Sequence, residues 1–197
     1  MGWLRRKKAM SWGAAESESA LPGITTVPWT ELRGGTGRPA TDLPALLVAL
    51  VLDPADDLRD TLSGELAPSG LWAQATPYAI PFLIRVAADV NHPRGADIAQ
   101  LLLEEIAYGE PHRSELDAGN TGLRAQVRSA LEAGRPFFES QLRADDPASQ
   151  AQSIAILAGL DGGSARLREL LAGIDIQQAD PLVAEAIRDA YDHFDND

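Results

Sequence analysis

From residue 41 onwards, apolar residues recur at every third or fourth position. Leu43, Leu46, Leu47 and Leu50 form the first such stripe, which is typical of the buried face of a helix. The same spacing returns in stretch after stretch as far as Tyr191. The pattern therefore predicts an all-α protein, with about eight helices between residues 41 and 194.

Asp-Pro pairs stand at 53–54, 146–147 and 180–181, each directly before an apolar stripe. An aspartate can cap the first turn of a helix, and a proline is tolerated at the first helical position. The last two pairs are one helix-pair unit apart. Such a period predicts stacked helical hairpins, that is, a short α-solenoid with degenerate repeats.

Two prolines interrupt the apolar stretch 75–90. Pro77 and Pro81 each remove a backbone donor, so the stretch does not fit a central strand, and one straight helix accommodates both poorly. The sequence therefore predicts two short helical pieces, 71–79 and 81–89, joined by a bend.

The segments WTELRGGTGRPATDLPALLVAL (29–50) and LWAQATPYAIPFLIRVAADVNHPRGADIAQLLLEEIAYG (71–109) resemble a bacterial group of HEAT-repeat-like proteins. The resemblance depends on a Trp and a Gly turn before A-x-D-x-P-x-L-L, then on A-T-x-x-A-x-P-F-L and I-A-x-G. The matching residues are Trp29, Gly37, Ala40, Asp42, Pro44, Leu46, Leu47, Ala75, Thr76, Ala79, Pro81, Phe82, Leu83, Ile106, Ala107 and Gly109. The resemblance implies a HEAT-like array that binds proteins, and some members of the group are immunity proteins against secreted toxins.

Charge is distributed unevenly along the 197 residues. The net charge is −12, although Arg5, Arg6, Lys7 and Lys8 lie together near the start. We expect residues 1–28, which are small and polar apart from this cluster, to form a flexible tail, and 29–197 to form one domain. The acidic domain disfavours nucleic-acid binding and favours a basic protein partner.

No catalytic, metal-binding or cofactor-binding constellation is predicted. There is no cysteine, and the adjacent Glu104 and Glu105 do not share a helix face. On the last predicted helix three acids at i, i+4 and i+7 form a stripe, and a second acidic group lies on the predicted 53–65 helix. The candidate partner-binding residues are Glu185, Asp189 and Asp192, with Asp53, Asp56, Asp57 and Asp60.

The sequence thus favours a non-catalytic protein-binding module, in its most specific form an immunity protein that neutralises a basic toxin. A general scaffold or regulator and, more remotely, an enzyme with a small-ligand site in a helical groove are the alternatives. We expect a cytoplasmic location, because residues 1–19 lack the apolar stretch of a secretory signal and no apolar run is long enough to span a membrane. The oligomeric state stays open.

Overall fold

The computed structural model describes residues 12–161 and 164–194. Helices make up 65% of the structure and strands 3%, which confirms the all-α prediction. Within the described residues the helices are α1 Ala14–Ala20, α2 Leu43–Leu52, α3 Leu58–Leu66, α4 Thr76–Ala87, α5 Pro93–Ala107, α6 Arg113–Asp117, α7 Leu123–Ala133, α8 Arg135–Gln141, α9 Pro147–Asp161, α10 Ala165–Ala172 and α11 Pro181–Phe194.

Short irregular elements connect these helices. Two 3-10 turns span Ile24–Thr26 and Pro68–Gly70. Two-residue strands, β1 Leu71–Trp72 and β2 Glu110–Pro111, pair in parallel, with Leu71 opposite Glu110. The buried Trp72 indole donates a hydrogen bond of 2.9 Å to the carbonyl of Ile106. This small pairing fixes the ends of the loops that precede α4 and follow α5.

The predicted tail is wrong for residues 14–28. Helix α1 packs against α2, and Leu21 and Ile24 are fully buried in the core. The indole nitrogen of Trp29 donates to the carbonyl of Ile24 at 2.8 Å. Residues 14–28 therefore pack onto the helices that follow, and Leu21 and Ile24 are part of the core. The basic cluster at residues 5–8 lies outside the described residues.

Two of the three Asp-Pro helix starts are confirmed. Asp146 and Asp180 accept hydrogen bonds of 2.9 Å from the first turns of α9 and α11. The start predicted at Asp53 is wrong, because α3 begins only at Leu58. Since α3 packs against α2, the intervening residues are needed to reverse the direction of the chain.

The predicted division into two short helices, 71–79 and 81–89, is also wrong. Helix α4 is continuous and includes Pro81, while Pro77 lies in its first turn. In that turn a missing N–H costs nothing, so only Pro81 removes a bond, to the carbonyl of Pro77. The buried Ile80 and Leu83 on either side of exposed Pro81 hold the helix together despite this loss.

Contacts between the helices form two series of successive neighbours, which we call rows. In one row α3, α5, α9 and α11 are successive neighbours, and in the other α2, α4 and α7 are successive neighbours. Both rows contribute fully buried side chains, among them Leu47, Leu83, Leu103, Leu157 and Ile187. Helix α2 is buried almost all round, because α1, α3, α4 and α5 all pack against it.

Helix α5 approaches α2 closely at Gly95. A Cβ atom at this position would lie 2.0 Å from the backbone oxygen of Leu50. The carbonyl of Leu50 cannot accept the usual helical hydrogen bond from the residue four positions later, because that residue is Pro54 and has no N–H. The missing side chain at Gly95 thus sets the spacing between the two helices.

A nearly buried arginine joins α7, α8 and α9. The guanidinium of Arg135 donates to Glu132 at 2.6 Å and to Asp161 at 3.0 Å. These hydrogen bonds, to Asp161 first and Glu132 second, raise the pKa of Arg135 above its usual value. These ion pairs link α7, α8 and α9.

Candidate partner-binding groove

A groove of about 450 Å³ lies between α5, α9 and α11. We call it the acidic groove. Alanines from α9 and α11 form much of its floor, and three carboxylates and one phenol line it. The lining residues are Glu104, Tyr108, Ala151, Gln152, Ala155, Leu182, Glu185, Ala186 and Asp189.

The three carboxylates come from two helices that are distant in sequence. Glu104 lies on α5, whereas Glu185 and Asp189 lie one turn apart on α11. None of the three forms an ion pair with a base in the part of the chain that the structure describes. The groove therefore carries concentrated negative charge that favours a cationic group in its mouth.

Tyr108 follows α5 and lies one turn after Glu104. Burial, and then the negative charges of Glu104 and Asp189, raise the pKa of this phenol to about 12. The phenol is therefore neutral at physiological pH. Burial also raises the pKa of Glu104, and the charge of Arg59 partly opposes this.

The depression continues towards α3. A smaller recess of about 180 Å³ shares Glu104 and Tyr108 with the groove and adds Arg59, Leu101 and Glu105. The carboxylate of Glu105 accepts a hydrogen bond of 2.7 Å from the hydroxyl of Ser63 on α3. The two depressions share Glu104 and Tyr108, so together they extend from α11 to Arg59 on α3.

Apolar side chains are also exposed here. Leu182 is 54% exposed and Tyr108 is 45% exposed, and both line the groove. Ala151, Ala155 and Ala186 add small apolar surface between them. The groove thus combines an apolar floor with acidic edges.

The predicted stripe on α11 lies only partly in this site. Glu185, Asp189 and Asp192 are all exposed, but only the first two line the groove. Asp192 lies outside the lining, one turn further along the helix, and has an interaction partner of its own. The stripe therefore does not act as one uniform surface.

The second predicted acidic group lies apart from the groove lining. Asp53, Asp56, Asp57 and Asp60 are exposed, and Asp56 forms an ion pair with Arg94 of α5. Except for Asp60, all of them precede α3, because this helix starts later than predicted. From this region it is the base Arg59 that reaches the smaller recess.

Sequence reasoning did not predict that Glu104 and Tyr108 line the same site as Glu185 and Asp189. It compared Glu104 only with its neighbour Glu105 and rightly found that adjacent residues point apart. The relevant neighbours, Glu185 and Asp189, lie on a different helix. The only available signal was that Glu104 and Tyr108 are four residues apart and lie beside the apolar stripe of α5.

The described residues contain no group of three or more metal-ligating side chains placed to hold a metal ion. No described helix combines the length and apolarity needed to cross a membrane. Compared with protein-family models, with curated proteins and with solved structures, the chain shows no significant match.

Proposed function

We propose that this protein is a non-catalytic module that binds a basic protein partner. The observation that carries the proposal is the acidic groove, in which Glu104, Glu185 and Asp189 form no ion pair with a described base. Complementary charge accelerates association with a basic partner and opposes binding of acidic ones. An excess of acidic over basic residues across the chain adds to this steering.

The architecture that fits this role is a short HEAT-like array. Its support is the two rows of successive neighbours together with the resemblance of segments 29–50 and 71–109 to HEAT-repeat-like proteins. Helical arrays present an extended concave surface, and such surfaces bind other proteins. Two adjoining depressions, lined by residues of α3, α5, α9 and α11, support this proposal.

The most specific form of the proposal is an immunity protein. In this role the partner is a basic toxin, and the acidic groove covers a basic surface that the toxin needs for its activity. The support is the same resemblance, since the HEAT-repeat-like group includes immunity proteins. A cytoplasmic location belongs to the same proposal.

The test begins with affinity capture. The full chain is immobilised, exposed at low salt to a lysate of its source cells and eluted with about 0.5 M salt, which screens surface charge within a few ångströms. We expect a basic protein in the eluate. The purified partner should bind the chain with an association rate that falls several-fold as salt rises.

A growth assay tests the toxin role separately. Expression of the partner alone should stop growth, and co-expression of this chain should restore it. A basic partner that is harmless to cells would overturn the immunity role but support a scaffold. Partners that are all neutral or acidic, or binding that salt does not weaken, would overturn the whole proposal.

A further inference from the structure

From the acidic groove we infer that the partner inserts a basic amphipathic helical segment, with apolar residues on the groove floor and Lys or Arg beside the carboxylates. This inference rests on the proposed function and specifies which part of the partner is bound and where. The occupant of the groove is a segment of a separate, basic protein.

The first reason is the mixture of surfaces in one depression. Leu182 and Tyr108 are among the most exposed large hydrophobic residues in the described chain, and both line the groove beside three alanines. A purely electrostatic contact does not need this apolar floor. An amphipathic helix does, because it binds through apolar residues spaced i, i+3, i+4 and i+7.

The second reason is the position of the charges. Glu104 lies on one side of the groove on α5, and Glu185 and Asp189 lie on the other side on α11. A helix placed between them has its apolar side towards the floor and its flanks towards carboxylates. Basic residues on these flanks fit that arrangement, and acidic ones are repelled.

The third reason is the extent of the concavity. The smaller recess, with Leu101 and Arg59, continues the groove beyond Glu104 and Tyr108. One inserted side chain fills only part of such a surface, whereas a segment of several turns covers it. Tyr108 lies where the two depressions meet, and its neutral phenol can lie against either an apolar side chain or a cation.

The probes are three synthetic peptides of roughly 18 residues, long enough to form a helix on binding. The first contains leucine and lysine, with the leucines on one helical face. The second has the same composition with the leucines spread around the helix. The third keeps the leucine face but replaces lysine by glutamate. Binding to the full-length protein is measured by fluorescence anisotropy at low salt.

We expect the first peptide to bind the wild type several-fold more tightly than the second, and the third not to bind. The variant Glu104→Gln, Glu185→Gln, Asp189→Asn should weaken binding of the first peptide about tenfold. Its matched control is Glu31→Gln, Asp145→Asn, Glu169→Gln, which removes the same number of exposed charges outside the groove lining. The control should change the affinity less than twofold.

A second pair of variants tests the apolar floor. Leu182→Ala should weaken binding of the amphipathic peptide several-fold and leave the second peptide unaffected. Leu116→Ala is the control, since Leu116 is 45% exposed on α6 and is absent from the groove lining. Circular dichroism and melting temperature show that each variant is folded before its affinity is compared.

Several outcomes would overturn the inference. Equal binding of the first and second peptides, or equal losses in site and control variants, would mean that the protein recognises charge alone; the proposed basic partner would then survive without this groove. If neither lysine peptide bound, the proposed function would fail as well. A last outcome concerns the full chain with residues 5–8 changed to glutamine. If this change raised the affinity for the first peptide several-fold, the groove would bind the chain's own basic segment rather than a partner.

Discussion

Replacing Gly95 by alanine tests the close approach of α5 to α2, which positions the helix that carries Glu104. The added Cβ would lie 2.0 Å from the oxygen and 3.0 Å from the carbon of the Leu50 carbonyl. Both atoms belong to the backbone of α2, so neither can rotate away. Ordinary contact begins at 3.4 Å, so the two helices must separate locally by at least about 1.4 Å.

The expected cost follows from two opposing effects. Overpacking a well-filled site costs about 1–3 kcal/mol. Replacing glycine by alanine in a helix recovers up to about 1 kcal/mol, and less here, because Gly95 lies in the first turn. We therefore expect a net loss of about 1–2 kcal/mol. In a chain of this size that lowers the melting temperature by about 2–8 °C.

Gly64→Ala in α3 is the matched control. A Cβ at Gly64 meets no atom within 4 Å, so only the helix preference changes. This variant should gain about 0.5–1 kcal/mol and melt about 1–4 °C higher. Both variants are measured by thermal and urea unfolding followed by circular dichroism. A Gly95→Ala protein as stable as the wild type would refute the reasoning, because α5 would then not be held against α2 at this glycine.

Three further predictions concern single sites. The phenol of Tyr108 should ionise near pH 12 in an ultraviolet titration, and Tyr108→Phe should remove this late component. Because the folded-state pKa is raised, the stability that the neutral phenol contributes is present below pH 10 and is lost as the pH rises through 12. Arg135→Met should lower the free energy of unfolding in urea by about 3–5 kcal/mol, because it leaves the carboxylate of Asp161 without its partner. Adding Asp161→Asn should recover part of this loss, and equal stability of the single and double variants would contradict the prediction. Pro81→Ala should stabilise the protein by about 1 kcal/mol, because it restores a helical donor at an exposed position, and a lower melting temperature would argue against it.

Local sequence determined the helical class and many of the helix starts. The starts at Pro147 and Pro181 could be predicted because an aspartate cap and the proline geometry act within one turn. The stripe Leu43, Leu46, Leu47 likewise identified a buried helix, since apolar spacing reflects the periodicity of the helix itself.

Tertiary packing decided the features that sequence reasoning predicted wrongly. Helix α4 continues through Pro81 because burial of Ile80 and Leu83 outweighs one lost hydrogen bond. Residues 14–28 are structured because α1 packs against α2 and because Leu21 and Ile24 are buried in the core. In both places a local preference competes with apolar burial, and the size of that burial depends on neighbours that the local sequence does not contain.

The residues of the acidic groove also divide into those that the sequence identified and those that only tertiary packing brought together. The sequence alone identified Glu185 and Asp189, because one helix turn places them on one face. Only the packing of α5 and α11 around α9 brought Glu104 and Tyr108 beside them. Residues on one helix are related by a fixed rise and rotation, whereas residues on different helices meet only where side-chain packing sets the distance and angle between the helix axes.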